Sequence, residues 1–330
     1  TRSCLKSRGL GDVYKRQSGV GATHGGATAH GSKSDENWCT GNETKGETCR
    51  SHISDLRATQ FAVGKVAVRC KRNTKIEMKS SVALRKYIDK ENHHVPAVIA
   101  PDGGLYITDH HHFSTAIWQA DISDSEKVVT IEVVENWSDT DWDGFWDRMI
   151  KSESPEYYWP YDAKGLHPMS PDYLPKNMGV MHNDPFRTLS RWVRDSHGYI
   201  KCIPGDKGNS ELCQHEPYSD QLKTPIYYLE FKWANFFRDN IDLTAYKKGN
   251  KCKAMSDEEK KEKTRERNLC SLNPNASNCL PEEVDALKCY FPVAMEMANS
   301  AAAKDIPGWT DNKPSDKEVK EINKTGCEKD

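Results

Sequence analysis

Apolar residues along the chain fall into short runs separated by polar and glycine-rich stretches, and their spacing predicts a mixture of strands and helices. Ala62-Val-Gly-Lys-Val-Ala-Val68 alternates well enough to predict a strand. Val82, Leu84, Tyr87 and Ile88 give Lys79 to Asp89 an amphipathic helical face. Val95-Pro-Ala-Val-Ile-Ala100 is a short apolar run rich in β-branched residues. Asp102-Gly103-Gly104 then supplies turn chemistry and Leu105-Tyr-Ile-Thr108 resumes the extended pattern, which predicts a β-hairpin. Phe113, Ala116, Ile117 and Ala120 recur at helical spacing, and Lys127 to Val134 is the clearest strand of all. Residues 52–137 are therefore expected to form a small α+β domain.

A second block, 138–245, reads as helical and aromatic-rich, packing back on the first. Ser138 is expected to cap a helix running toward Ile150, with acids in its first turn suiting the dipole. Tyr157-Tyr-Trp-Pro-Tyr161 reads as a connector. Asp184-Pro-Phe-Arg-Thr-Leu-Ser-Arg-Trp-Val-Arg194 has the form of a capped helix with Pro first, closed by His197-Gly198. Tyr227 to Ile241 is predicted as a helix whose aromatic stripe is core. Beyond it, 246–330 reads as a Cys-rich, disulfide-stapled extension. It contains a solvated charged helix from Asp257 to Arg267, a short amphipathic piece from Ala294 to Ala303 and a polar tail.

The first 51 residues change little in this picture. They are rich in Gly, Ser, Thr, Asn and charge, and read as disordered or loosely stapled. Residues 2–17 resemble translated adaptor sequence and are set aside. The chain does not open on Met, so its natural start is expected to be missing.

Lys and Arg total 47 against 49 Asp and Glu, so the whole chain lacks the basic excess of a nucleic-acid binder. The charge is uneven, however: 52–94 carries ten bases and four acids, 121–162 twelve acids and three bases. No apolar run approaches the roughly 18 residues of a membrane span. Ten of the eleven cysteines lie outside the suspect first segment, several close together, and four Asn-x-Ser/Thr sequons occur at Asn42, Asn136, Asn275 and Asn323. Both features favour a secreted protein over a cytosolic one with reduced thiols.

Candidate chemistry concentrates where the hairpin meets the following helix, at Asp109-His110-His111-His112. First-turn N–H groups lack intrahelical acceptors and carry the positive end of the dipole, so phosphate is a natural guest there. Three chemistries stay open. His111 and His112 can grip phosphate beside backbone N–H groups, and paired imidazoles can divide the base and acid roles of phosphodiester cleavage. Asp109 with His111 can contribute to a metal site, but neighbours on a helix diverge by about 100°, which places metal third. Lys71, at the end of the first predicted strand, either reaches a phosphate or is solvated. Asp184 is expected to cap its helix, with Arg187 and Arg191 more readily in surface pairs than facing a phosphate.

A set of stretches recurs in order across more than half the chain. They are Asp55-Leu-Arg-Ala-Thr-Gln60, Val63-Gly64 with Val68 and Lys71, Val95-Pro96-Ala-Val-Ile, Asp102-Gly, Ile107-Thr-Asp-His-His-His, Phe145-Trp146, Leu174-Pro175, Asp184-Pro-Phe-Arg-Thr-Leu, Gly198-Tyr199 and Glu230-Phe-x-Trp-Ala-x-Phe-Phe-Arg238. By these, residues 54–241 resemble the ParB-like nuclease family, a branch of the ParB/sulfiredoxin fold. The resemblance implies a small mixed sheet with helices and a pocket for a nucleotide or phosphodiester. In relatives of this fold the strand-to-helix turn bears a short basic motif ending in Arg that grips the phosphates of ATP or CTP, and in sulfiredoxin its cysteine also does chemistry. The corresponding positions here are Asp109 to His112. The cysteine is absent, so sulfinic-acid reduction is not implied, and His112 stands where the Arg would be. The resemblance also puts Arg57 and Gln60 near the pocket.

The resulting expectation is a phosphate-binding α+β protein with His110, His111 and His112 at its centre and Asp109, Arg57, Gln60 and Lys71 around the phosphate. A nucleoside triphosphate with a divalent metal fits as cofactor. Hydrolysis of a phosphodiester or phosphoanhydride stands beside a non-catalytic, nucleotide-sensing or secreted binding module.

Overall fold

A computed structural model describes residues 37–151, 157–161, 168–203, 211–223, 226–262 and 280–311. The protein is α+β. Its main sheet has five strands in the order β1-β6-β4-β5-β2, formed by β1 (Thr48–His52), β2 (Leu56–Arg57), β4 (Val95–Ile99), β5 (Leu105–Ile107) and β6 (Val128–Asn136). The pairing is mixed. β4 and β5 are the predicted antiparallel hairpin, with Ala97 opposite Ile107, while β4 runs parallel to β6 and β2 parallel to β5. β1 pairs antiparallel with β6, so the sheet begins before the expected boundary near residue 51, and a Cys39–Cys49 disulfide ties its edge.

Helices cover both faces of the sheet. On one side α2 (Ser81–Ile88, capped by Ser80) and α3 (His111–Gln119) bury Leu84, Ile88, Phe113, Ala116 and Ile117 against Ile99, Ile107, Val129 and Ile131. On the other, α4 (Trp142–Lys151) lays Phe145, Trp146 and Met149 against Val98 and Ala100. Asp141, rather than the expected Ser138, accepts a first-turn N–H of α4, from Gly144 at 2.8 Å. Ser138 lies too far upstream once the chain has turned at Asp139-Thr140, and its own N–H is held by Asn136.

The stretch expected as a strand over 62–68 is instead two elements. β3 (Ala62–Val63) pairs with β7 (His182–Asn183) in a small parallel sheet, and the chain then enters α1 (Lys65–Lys71). Val66, Ala67, Val68 and Cys70 are buried, while Lys65, Arg69 and Lys71 are half-buried. Val68 belongs to the core under the sheet, Val66 to a second core among the later helices. With Val66 and Val68 turned to different cores, the apolar positions of this short helix make no single stripe, and its run reads as a strand.

That second core is built by α5 (Pro185–Asp195), α7 (Leu229–Asn240) and α9 (Leu280–Ala298), with Trp192, Trp233, Phe237 and Phe291 fully enclosed. The aromatic stripe of α7 is core, as its spacing implies. Its partners are α5 and α9 rather than the main sheet. The 294–303 piece is the end of α9 together with the turn that follows it. Two shorter helices, α6 (Asp220–Lys223) and α8 (Asp257–Glu262), lie at the periphery, and α8 is the start of the expected charged helix; 263–267 fall outside the described residues. Cys202–Cys213 and Cys252–Cys289 are disulfides, the latter tying the segment after α7 to α9. Cys270, Cys279 and Cys327 lie outside the described residues. No helix among the described residues is long and apolar enough to cross a membrane.

Candidate functional site

β5 ends at Ile107 and α3 starts at His111, so Asp109 and His110 make the whole turn between them. His110 completes it at φ +63°, ψ +20°, the left-handed region that costs a non-glycine residue of order 1 kcal/mol or more. Asp109 Oδ1 accepts the His110 N–H at 2.6 Å, which helps hold this backbone. The next three N–H groups, of His111, His112 and Phe113, find no acceptor among the described residues; the first helical bond of the turn is Ser114 N–H to His110 O. The start of α3 is therefore an unfilled anion seat in the helix-terminus sense.

The three imidazoles do not converge. His111 turns inward, 3% exposed, and its Nε2 accepts the Thr59 N–H at 3.2 Å, with Thr59 Oγ1 close by and donating to Ile107 O. His112 turns toward α1, where its Nε2 accepts the Gly64 N–H at 2.9 Å. A ring nitrogen that accepts from a peptide N–H is unprotonated, so both rings are neutral with their proton on Nδ1. Their basicity agrees. Burial, opposed by Asp109 and aided by Arg187 and His110, pushes His111 down to about 3. Burial, Arg187, Arg191 and Lys71 hold His112 well below its ordinary value. These two histidines pin the β2–β3 connection and the head of α1 to α3. The expectation that they share base and acid roles near neutral pH does not fit that geometry.

His110 and His112 are both half-buried; the ring of His110 meets that of Phe113, which also contacts His93 at 5.5 Å. Burial lowers its basicity against the pull of Asp109, and Lys71, His93 and Lys201 lower it further. The Asp109 carboxylate is exposed yet ringed by protein, the signature of a recess. Against that desolvation, His110 and Lys201 keep it below the ordinary carboxylate range.

Near this turn lie charged residues of α5 and α7 to which the sequence assigns no central role. Arg187, on the first turn of α5, is buried to 6% exposure with its Cζ 3.4 Å from the centre of the Phe231 ring of α7. Its Nε and Nη1 are enclosed and have no hydrogen-bond partner among the described residues. It is close enough to His111 and His112 to lower both, and burial pulls its own guanidinium below its ordinary value against Glu230, Asp184 and Asp109. Glu230 accepts from Lys201 at 3.0 Å and from Arg194, and Arg191 and Arg194 both meet Asp195. Around the recess five cations (Lys71, Arg187, Arg191, Arg194, Lys201) face four anions (Asp109, Asp184, Asp195, Glu230), of which Asp184 is paired with Arg238, and Arg187 has no direct ion-pair partner among the described residues.

Lys71 is near enough to His110 and His112 to lower both, although it ends a helix and not a strand. Arg57 does not reach it: both its terminal nitrogens hold Asp102, at 3.0 and 2.8 Å, and it braces the β4–β5 turn against Tyr106. Gln60 is buried and donates to Ala62 O at 3.1 Å, one residue from the Thr59 amide that His111 holds. Asp184 caps α5, as expected, by accepting from Phe186 N–H, and pairs with buried Arg238 at 2.6 Å. Arg187 departs from the surface pair expected of it, because α7 brings Phe231 over it. Among the described residues no three His, Cys, Asp or Glu side chains come together to hold a metal ion, and the nitrogen by which His111 would ligate is taken by Thr59.

Residues 49–204 match the model of the family described as "Putative ParB-like nuclease". The chain carries a ParB-like domain. Among solved structures, the crystal structure of protein Atu1540 from Agrobacterium tumefaciens is similar to it, with a TM-score of 0.50 and 27% sequence identity over 80% of this chain and 98% of that one. That overlap is wider than the span of the family match, so the likeness takes in part of the helical half as well. No curated protein matches the chain. Arg187 and Phe231 lie in two of the stretches that carry the resemblance, Asp184-Pro-Phe-Arg and Glu230-Phe-x-Trp, and that is the one trace of the recess in the sequence.

Proposed function

We propose that the ParB-like domain binds a phosphate-containing ligand, a nucleotide or the backbone of a nucleic acid, in the recess at the start of α3. One observation carries the reading: a buried guanidinium with two unpartnered nitrogens, near enough to His111 and His112 to lower both, accompanies three unfilled first-turn N–H groups. Buried polar groups in native proteins almost always have partners, and a charged donor left without one is costly. A phosphate is a partner both for these N–H groups and for a guanidinium donor of Arg187. Arg187 then does from α5 what an Arg at position 112 would do from the turn itself. The two nitrogens are enclosed, so side chains at the rim have to shift as the ligand seats.

The net charge of the chain favours a compact ligand over a long polyanion. Asp109, exposed beside the seat, suits a divalent ion brought in on a triphosphate, since Mg²⁺ takes one or two carboxylates and otherwise phosphate and water. Because His111 and His112 are engaged as acceptors, a binding module is the reading the geometry supports best. Hydrolysis is the second reading and rests on Asp109 and His110, adjacent and at the recess. The three disulfides found among the described residues support an oxidising, secretory location for either.

The test incubates the purified, oxidised chain with labelled ATP, CTP and single- and double-stranded DNA and RNA, with and without Mg²⁺. Saturable binding competed by pyrophosphate supports the site. Product release that is lost in His110→Ala while binding persists moves the assignment to an enzyme. No binding of any of these ligands overturns both readings.

A further inference from the structure

Two of the four sequons lie among the described residues, and the structure treats them in opposite ways. Asn42-Glu-Thr44 sits in the loop closed by the Cys39–Cys49 disulfide. Glu43 points inward and holds the loop together, its carboxylate accepting from Thr40 N at 2.6 Å, Thr40 Oγ1 at 2.8 Å and Gly41 N at 3.0 Å. Gly41 is buried as well, against the backbone of Gly103 in the hairpin turn. Asn42 and Thr44, on either side of Glu43, are therefore both thrown outward and exposed. The Asn42 side-chain amide makes no hydrogen bond among the described residues. Downstream in the same loop, a Cβ at Gly46 would meet nothing within 4 Å, so the surrounding space is open.

Asn136 is the reverse case. It ends β6 half-buried, its Nδ2 donates to Glu43 O at 2.8 Å and Gly41 O at 3.3 Å, and its Oδ1 accepts the Ser138 N–H at 3.0 Å. The atom that would carry a glycan is thus the strut under the loop that displays Asn42. A sugar on Asn136 would take the place of one of the two N–H hydrogens, cost at least one of these bonds, and press against the loop that rests on the amide.

We propose that Asn42 is an N-glycosylation site of this protein and that Asn136, despite its sequon, is structural. The inference rests on the secretory reading given above. In the modification, the Asn42 amide nitrogen forms a bond to the anomeric carbon of a lipid diphosphate-linked oligosaccharide. The bond from that carbon to the diphosphate oxygen breaks, the lipid diphosphate leaves with the electron pair, and the amide loses one proton.

The full chain, fused to a secretory leader, is translated into microsomes, allowed to oxidise, and mapped by mass spectrometry after glycosidase digestion in heavy-oxygen water. The leader imposes the route, so the outcome reports on the sites and not on where the protein naturally resides. The expected result is label at Asn42 and none at Asn136. Asn42→Gln and Thr44→Ala each remove one glycan from the intact mass, whereas Asn136→Gln removes none. An unmodified Asn42 in translocated chain, or a glycan on Asn136 in chain that has formed the Cys39–Cys49 disulfide, overturns the proposal.

Discussion

Gly64 gives its backbone N–H to Nε2 of His112 across 2.9 Å, and by that bond the first residue before α1 is fastened to the first turn of α3. His111 makes the equivalent bond to Thr59 on the chain leading into β3. Two members of a histidine run that looks catalytic are therefore fasteners. His112→Ala leaves the Gly64 donor without its acceptor, which costs about 1–3 kcal/mol. Urea denaturation should show a midpoint lowered accordingly, and His111→Ala should behave alike. An unchanged midpoint in both variants would show that the bonds carry nothing.

The same geometry sets an acid limit on stability. His111 is neutral in the folded protein down to about 3, whereas the unfolded chain takes up its proton near 6.5. Unfolding then binds a proton, so the stability His111 contributes is complete above pH 6.5 and drains away as pH falls toward 3, at about 1.4 kcal/mol per pH unit. His112 adds to the slope in the same direction. Denaturation followed between pH 7 and 4 should steepen below 6.5 and flatten in His111→Gln, which retains an acceptor but does not titrate.

Glu283 works in the opposite sense at the joint between α9 and α1. It is 7% exposed; Oε2 accepts from Asn183 Nδ2 at 2.7 Å, and Oε1 is buried without a partner. Asn183 in turn accepts the Lys65 N–H at the head of α1. Burial, only partly offset by the Asn183 bond and aided by Asp184, with Arg69 and Lys65 pulling the other way, raises Glu283 to about 7. A raised carboxyl favours the folded state while protonated, so its contribution is full below about 4.5 and is lost as pH rises through 7. Glu283→Gln should match the parent near pH 4.5 and exceed it above pH 7 by up to about 3 kcal/mol. Equal stability of the two chains at pH 8 would refute it.

Much of this molecule was visible in the order of its residues. The β4–β5 hairpin, α2, α3 and β6 follow from alternation, turn residues and a cap, all of them local signals on a half-buried surface. α1 was hidden because Val66 and Val68 serve different cores, so its burial has no single face. Most of α9 was hidden behind Pro292 within it, and the sequence announced its last turns alone. At the site, the turn and its helix were legible, but the fate of each histidine was not. Which way a ring points depends on the amides of Thr59 and Gly64, supplied by chain far away in sequence. Arg187 reads as a surface cation until α7 lays Phe231 on it.

Arg187 is also where the functional account is most exposed. Arg187→Met keeps much of the buried stem and the packing on Phe231 but removes the charge. Since an unpaired buried guanidinium is a liability to the fold, that variant should be at least as stable as the parent without ligand. The deciding measurement is the shift in melting temperature of the two chains on titration with ATP and with pyrophosphate at fixed ionic strength. A ligand at 100 times its dissociation constant stabilises by about 2.7 kcal/mol, which is readily seen. The account predicts a saturable upward shift in the parent and its loss in Arg187→Met. An equal shift in both chains, or none in the parent, would contradict the claim that the start of α3 and Arg187 together hold phosphate.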